Sequence, residues 1–158
     1  MIKIYPLSEK KVLYPIPAYW AFINWYLPRD LPFSILLNEY KRRAGGESFP
    51  YTYLAFIDDI PVGMVTLKEV DLGTRKDLCP WLSALYVVPE FRNKGIANAL
   101  INYIIKESRI EGFEKLHLFI DNRDLEKLEK YYIKRGWKFL DSSPGPDNDT
   151  AKIYCFTL

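Results

Sequence analysis

The feature that most constrains this chain is the run Leu85-Tyr86-Val87-Val88-Pro89-Glu90-Phe91-Arg92-Asn93-Lys94-Gly95-Ile96-Ala97. An apolar, β-prone stretch stops at a proline, which has no N–H for a ladder, passes through a short basic loop and opens directly into a helical pattern. The first turn of a helix has four N–H groups without intrahelical partners, and the helix dipole adds partial positive charge there. Gly95 admits close backbone approach, Ala97 keeps the next turn low, and Arg92 and Lys94 add formal charge. The segment therefore reads as an anion site for a phosphate group. A capped helix with solvated basic residues is the other reading of this segment taken alone.

The rest of the chain limits what can surround that site. At 158 residues it is expected to be one domain, 1–158, long enough to bury a sizeable core without metals or disulfides. A short strand near 2–5 precedes a helical pattern over 17–27 that carries Tyr19, Trp20, Phe22, Ile23, Tyr26 and Leu27. A second helix is expected over 30–43, stopped by Gly45-Gly46. Apolar runs at 51–57 and 60–70, joined by Asp58-Asp59, predict a hairpin in which Gly63 marks a bulge. Further strands are expected at 81–88, 116–120, 137–140 and 152–157, with helices at 93–109 and 124–135 and a surface loop over 141–149. The order β, α, α, β, β, β, α, β, α, β, β is a mixed α/β arrangement with crossover units only in its second half.

Composition removes several function classes. The 49% hydrophobic and 27% charged fractions are those of an ordinary globular protein. A formal net charge of +2 lacks the broad basic face of a general nucleic-acid binder, so no nucleic-acid partner is expected. No apolar stretch reaches the roughly 18 residues needed to cross a bilayer. The start Met1-Ile2-Lys3-Ile4-Tyr5-Pro6 lacks the pattern of a secretory signal, so a cytoplasmic location and no membrane association are expected. Cys79 and Cys155 form neither a metal site nor a disulfide framework and read as buried reduced thiols. No metal is expected.

Neither G-x-x-x-x-G-K-[ST] nor G-x-G-x-x-G follows a strand here. The run Leu85-x-Val87-x-Pro89-x-x-Arg92-x-x-Gly95-x-Ala97 instead resembles the long acyl-CoA motif of the GNAT superfamily of acetyl-CoA-dependent N-acetyltransferases, [QR]-x-x-G-x-[GA] after a strand and proline. Tyr132-Ile133-Lys134-Arg135-Gly136-Trp137 resembles that family's Y-x-x-x-G-[FW] signature, and Asp58-Asp59-Ile60-Pro61-Val62-Gly63 its second and third strands. The resemblance implies an α/β (α+β) fold: a mixed, mostly antiparallel sheet of about six or seven strands flanked by about four helices, with a splayed central strand pair. It implies acetyl-CoA as acyl donor. Backbone N–H groups from Arg92 through Asn93, Lys94, Gly95 and Ile96 to Ala97 would hold its pyrophosphate. Leu85, Tyr86 and Val87 would receive the pantetheine arm as an added strand, with an N–H near Leu85 polarising the thioester carbonyl. Asn122 is a further candidate cofactor contact, although it stands ten residues before Tyr132 where the family places an asparagine seven before.

Tyr132 matches the family tyrosine that protonates the departing thiolate, as a phenol with a pKa of about 10 is able to do at neutral pH. The other reading of Tyr132 is a packing residue beside Tyr131. Several branches of the family place a carboxylate on the fourth strand, four residues before the position of Leu85, to draw a proton from the amine through water. Trp81 stands there instead. Glu69, Asp71 and Asp77 are nearby in sequence, but a charge at a strand end is usually just solvated. Ser83 reads as a small sheet residue rather than a nucleophile, since the one histidine, His117, lies in another strand. Direct transfer without an acyl-enzyme is the implied mechanism. Between Arg92 and Lys138 there are 11 Lys and Arg against 7 Asp and Glu, a local +4 that suits a polyanionic cofactor.

In the family the first two helices commonly wall the acceptor site, which makes Trp20 and Tyr26 candidate substrate contacts, joined by Trp81. An aromatic wall suits an apolar or cationic amine through a cation–π term of about 0.5–2 kcal/mol. The same aromatics also suit plain packing of helices on a sheet. The expected activity is acetylation of a primary amine on a small molecule or peptide. A non-catalytic acyl-CoA-binding regulatory module is the alternative, and the family's frequent homodimers extend to this chain as an expectation.

Overall fold

The computed structural model describes residues 1–121 and 125–158. The chain divides into two compact units, one of Met1–Leu67 with Ala84–Ile104 and one of Lys68–Ser83 with Ile105–Leu158.

In the first unit, β1 (Lys3–Pro6) runs antiparallel to β2 (Tyr51–Ile57), and β2 turns back into β3 (Ile60–Lys68). Asp58 and Asp59 both have positive φ, 48° and 64°, so this two-residue connection is a type I′ turn, whose twist matches that of the flanking strands. The hairpin is as the sequence predicts, but the bulge is displaced by one residue: Ala55 faces Gly63 and Phe56 faces Pro61, which makes Val62 the extra residue. Side chains alternate across the sheet. Leu54, Phe56 and Met64 join Leu7, Ala18, Trp20, Leu36 and Tyr40 in one core, which packs α1 (Pro15–Ala21) and α2 (Phe33–Arg43) against these strands. Gly63 instead lies close to Ile96 and Leu100 of α3 (Ile96–Ile110), and the Tyr53 ring lies 5.0 Å from that of Tyr103.

The helix expected over 17–27 begins earlier, with proline in its first turn, and gives way to a π turn at Phe22–Tyr26. Side chains satisfy the backbone carbonyls there: Asn24 Nδ2 donates to the Trp20 carbonyl at 2.7 Å and Arg29 Nη1 to that of Trp25 at 3.1 Å. Such π segments are rare and often occur at functional sites.

In the second unit, β5 (Lys115–Ile120) pairs antiparallel with β7 (Thr150–Thr157), and β7 with β6 (Lys138–Pro144). The start of β4 (Trp81–Val87) meets β5 in parallel at one register pair, Trp81 opposite His117. That brief pairing agrees with the splayed central strand pair that the family resemblance implies. α4 (Leu125–Ile133) is tied to β7 by the Glu129 carboxylate, which accepts from the Tyr154 hydroxyl and from Lys152 Nζ at 3.0 Å. Among the described residues, seven strands, mostly antiparallel, and four α-helices make a mixed α/β fold in the expected element order.

Two expectations are corrected. Residues 141–144, read as loop, belong to β6, because pairing with β7 needs only backbone; Thr74 and Arg75 further hold the segment through Ser143 at 2.8 Å and Asp141 at 2.8 Å. Cys79 is exposed in the connection before β4 and Cys155 is half-buried, so neither is the buried thiol expected, although burial still pushes both thiols above their usual range.

Candidate functional site

The loop singled out by the sequence lies wholly within the first unit. Val88 N–H donates to the Val62 carbonyl at 2.9 Å, tying the chain beyond β4 to β3. A single 3-10 turn at Pro89–Phe91 follows, closed by Arg92 N–H on the Pro89 carbonyl at 3.2 Å. Asn93 and Gly95 then take left-handed conformations, φ 60° and 82°, so α3 starts at Ile96 rather than at Asn93. Ile96, Leu100, Ile101 and Ile104 are buried and anchor the helix.

Two left-handed residues in one short loop interrupt regular backbone hydrogen bonding there. Among the described residues, no backbone carbonyl accepts from the amides of Asn93, Lys94, Gly95, Ile96 or Ala97, while Ala99 N–H donates to the Gly95 carbonyl at 2.9 Å. Arg92, Asn93, Lys94 and Gly95 are exposed, and a Cβ at Gly95 would meet nothing within 4 Å. A row of amides without backbone partners beside cationic side chains is suited to anionic oxygens.

Arg92 does more than supply charge. Its Nε donates to the Val87 carbonyl at 3.0 Å, so one edge of the guanidinium fastens the loop to the end of β4. Lys94 Nζ donates to the Glu90 carbonyl at 3.2 Å and lies 5.1 Å from the Phe91 ring centroid. Within β4, Ala84 has φ 50°, the left-handed region that costs an L-residue about 1–2 kcal/mol. Leu85 and Tyr86 follow it half-buried, and the Tyr86 ring lies 5.4 Å from that of Trp20. The structure thus brings together Trp20, Tyr86, Val87 and Arg92; Tyr26 is half-buried against the same core.

The remaining candidates lie elsewhere. Trp81 is fully buried at 0% exposure in the second unit, packed with Leu72, Ala151 and Ile153, its Nε1–H donating to the Leu78 carbonyl at 2.7 Å. It is a core residue rather than part of an open aromatic wall, because a large apolar surface with a nearby carbonyl for its one donor is most stable inside. Asn122 lies outside the described residues.

Tyr132 is 6% exposed in the last turn of α4, its ring edge-on to Trp137 at 5.7 Å and to Tyr131 at 5.3 Å. Gly136, φ 90°, ends the helix, and Trp137 N–H returns to the Tyr132 carbonyl at 3.2 Å. Burial pushes the Tyr132 phenol well above its ordinary pKa; Tyr131 adds to this and Arg135 opposes it. The group is fully protonated at any physiological pH, as a proton donor must be.

His117 is buried, and its backbone N–H and its ring Nδ1 lie 3.0 and 3.1 Å from the Pro80 carbonyl oxygen. Burial lowers its pKa, so it serves as a neutral packing residue, as the sequence suggests. Among the described residues, no group of three or more His, Cys, Asp or Glu is arranged to hold a metal ion, and no helix is long and apolar enough to cross a membrane.

A model of the acetyltransferase (GNAT) family matches residues 8–137. No curated protein matches the chain by sequence. Among solved structures, an aminoglycoside 6'-N-acetyltransferase complexed with coenzyme A is similar at a TM-score of 0.74 and 18% identity, covering 99% of this chain and 96% of that one. PaiA N-acetyltransferase from Thermoplasma acidophilum, in complex with coenzyme A, gives 0.67 and 19% over 100% and 99% of the two chains. A GNAT family acetyltransferase from Elizabethkingia anophelis with acetyl-CoA bound gives 0.64 and 19% over 99% and 98%. At these identities the likeness to each solved structure is one of fold.

Proposed function

The chain belongs to the GNAT family of acetyltransferases, and on that premise we propose that it moves an acetyl group from acetyl-CoA to a primary amine of a small molecule or peptide, by direct attack and without an acyl-enzyme. In this reading residues 1–158 act as one catalytic domain, in the cytoplasm. The observation that carries it is the row of five backbone amides, Asn93 to Ala97, left without a backbone partner beside the exposed Arg92 and Lys94. That set fits a pyrophosphate: amides for the oxygens, formal charge for their anionic character, and open space over Gly95.

Acetyl-CoA supplies a thioester already activated for acyl transfer. The amides of residues 93–97 and the free edge of the Arg92 guanidinium bind its phosphates. Leu85, Tyr86 and Val87 offer backbone groups to the extended arm, and the Leu85 N–H polarises the thioester carbonyl, a role that asks nothing of the side chain. Tyr132 gives its hydroxyl proton to the thiolate sulfur, and its burial keeps that proton in place until then. Trp20 and Tyr26 contact the acceptor.

The decisive experiment is the thermal midpoint with and without saturating acetyl-CoA, repeated on Arg92→Glu and Gly95→Asp. At about 100 times Kd, binding adds roughly 2.7 kcal/mol, or about 5–11 °C for a chain this long. A shift in wild type that is lost in both variants supports the cofactor assignment, and no shift in wild type removes the acetyltransferase reading. Thiol release over a panel of amines then separates a transferase from a module that binds acyl-CoA without turnover.

A further inference from the structure

Burial of Tyr132 secures its proton and also works against releasing it. Once the hydroxyl gives that proton to a thiolate, a phenolate is left at a position only 6% exposed, where water does little to stabilise an anion. Its ring neighbours, Tyr131 and Trp137, meet it edge-on and carry no charge at neutral pH. A fixed positive charge nearby would offset the cost, and the end of α4 supplies one.

The basic residues in and just after α4 are not alike. Lys127, Lys130 and Lys134 are exposed, and Lys130 Nζ is paired with Glu126 at 2.7 Å. Arg135 is half-buried and held at three points. Its backbone N–H donates to the Tyr132 carbonyl at 2.9 Å, its Nη1 donates to the Tyr131 carbonyl at 2.9 Å, and its guanidinium carbon stands 3.5 Å from the centroid of the Tyr131 ring. A group that close to a ring centroid lies over the ring face, a contact suited to the planar, weakly hydrated guanidinium. The Tyr131 ring stands at 89° to that of Tyr132, with centroids 5.3 Å apart. The charge of Arg135 favours the ionised form of Tyr132, against the burial that opposes it.

We infer that Arg135, locked against Tyr131, is a positioning residue that stabilises the Tyr132 phenolate as the thiol leaves, an inference that rests on the acetyltransferase reading above. The amine nitrogen forms the C–N bond with its lone pair. The C–S bond breaks with its electron pair on sulfur, and sulfur takes the proton of the Tyr132 hydroxyl. The nitrogen loses one proton to solvent and the phenolate takes one back from solvent, so the negative charge that Arg135 offsets exists only between the last two transfers to and from Tyr132. A cation already fixed in place answers that charge without reorganising.

The test measures kcat and the KM for acetyl-CoA by thiol release, with the amine that wild type acetylates fastest. It compares wild type, Arg135→Met and Arg135→Lys, and repeats Arg135→Met in a Tyr132→Phe background. Arg135→Met is expected to lower kcat by about 10-fold or more while the KM for acetyl-CoA changes by no more than about threefold. Arg135→Lys keeps the charge but not the planar stack, and should recover part of the loss. With Tyr132→Phe there is no phenolate to stabilise, so Arg135→Met should then change kcat by no more than about twofold. A residue that only supported the end of α4 would cost the same in both backgrounds. If Arg135→Met does not fold, Tyr131→Leu removes the ring on which the guanidinium is stacked and should show a smaller loss with the same dependence on Tyr132. Equal losses in both backgrounds, a change confined to KM, or no loss would overturn the inference. A Tyr132→Phe variant as active as wild type would remove the roles of Tyr132 and Arg135 together. A wild type with no acetyl-CoA melting shift, or with no thiol release for any amine, would overturn the acetyltransferase reading itself.

Discussion

Replacing Gly63 by alanine tests whether β3 and β4 are held together as tightly as the site requires. A Cβ at Gly63 would lie 2.7 Å from the Tyr86 carbonyl oxygen, 3.3 Å from Leu100 Cδ1 and 3.4 Å from Ile96 Cγ2. The first contact is with backbone, which has no rotamer to move, and the other two are with the buried face that seats α3. Overpacking of this kind costs about 1–3 kcal/mol, and the lower entropy of the unfolded alanine chain returns about 0.4–1 kcal/mol. The net loss of about 1–2 kcal/mol corresponds to a midpoint lower by about 2–8 °C at this chain length. Relief of the clash must displace Tyr86 or the start of α3, so acetyl-CoA affinity should fall as well. Calorimetric melting with and without acetyl-CoA, and titration calorimetry, measure both effects. An alanine variant that melts at or above wild type and binds acetyl-CoA equally well would refute the packing argument.

Gly95→Ala should lose about 1 kcal/mol of stability, because φ is 82° there and nothing crowds the site; a Tm unchanged from wild type would show that the loop relaxes to another conformation. Tyr132→Phe should lower kcat by about 100-fold or more with the KM for acetyl-CoA nearly unchanged, and wild-type kcat should show no alkaline loss assignable to this phenol below about pH 10, since burial raises its pKa. His117 has a pKa lowered by burial, so it contributes stability above the unfolded value of about 6.5 that is lost as pH falls through the folded value. A His117→Gln variant should therefore lose less Tm than wild type between about pH 7 and pH 5, and parallel losses would exclude this contribution.

The parts of the fold encoded by neighbours in sequence were legible in it. Asp58-Asp59 between two apolar runs is enough to specify a hairpin, and the loop of residues 92–97 is readable because strand, proline, basic residues, glycine and helix follow one another directly. What depends on distant partners was not. Gly63 looks like a bulge marker in the sequence, but its place is set by the carbonyl of Tyr86 on the next strand. The 17–27 helix was read as uniform because α and π turns share nearly the same apolar spacing, and the switch at Phe22 is sustained by the side chains of Asn24 and Arg29. Residues 141–144 have a loop-like composition because β6 is largely exposed, which relieves it of any need for apolar residues. Trp81 was ambiguous in principle: a tryptophan suits an aromatic cleft and a core equally well, and only its burial decides.

Ala84 shows how strain, rather than composition, marks β4. Alanine has no special liking for positive φ, so the sequence carries no signal there, yet among the described residues Ala84 is the one positive-φ residue inside a strand. A conformation that costs about 1–3 kcal/mol persists only when the surroundings over-determine it. The chain supplies restraint on both sides: Trp81 is packed in a core three residues before, and Val88 donates to Val62 four residues after. Strand alternation is reset between these fixed points, and burial along β4 changes from buried at Trp81, Leu82 and Ser83 to half-buried at Ala84, Leu85 and Tyr86. Three half-buried residues in a row do not follow the period of a strand packed on one face. A strained, half-buried stretch of strand is where a demand other than packing is expected to act, and it borders the residues, Leu85 to Val87, that the proposed function gives to the cofactor.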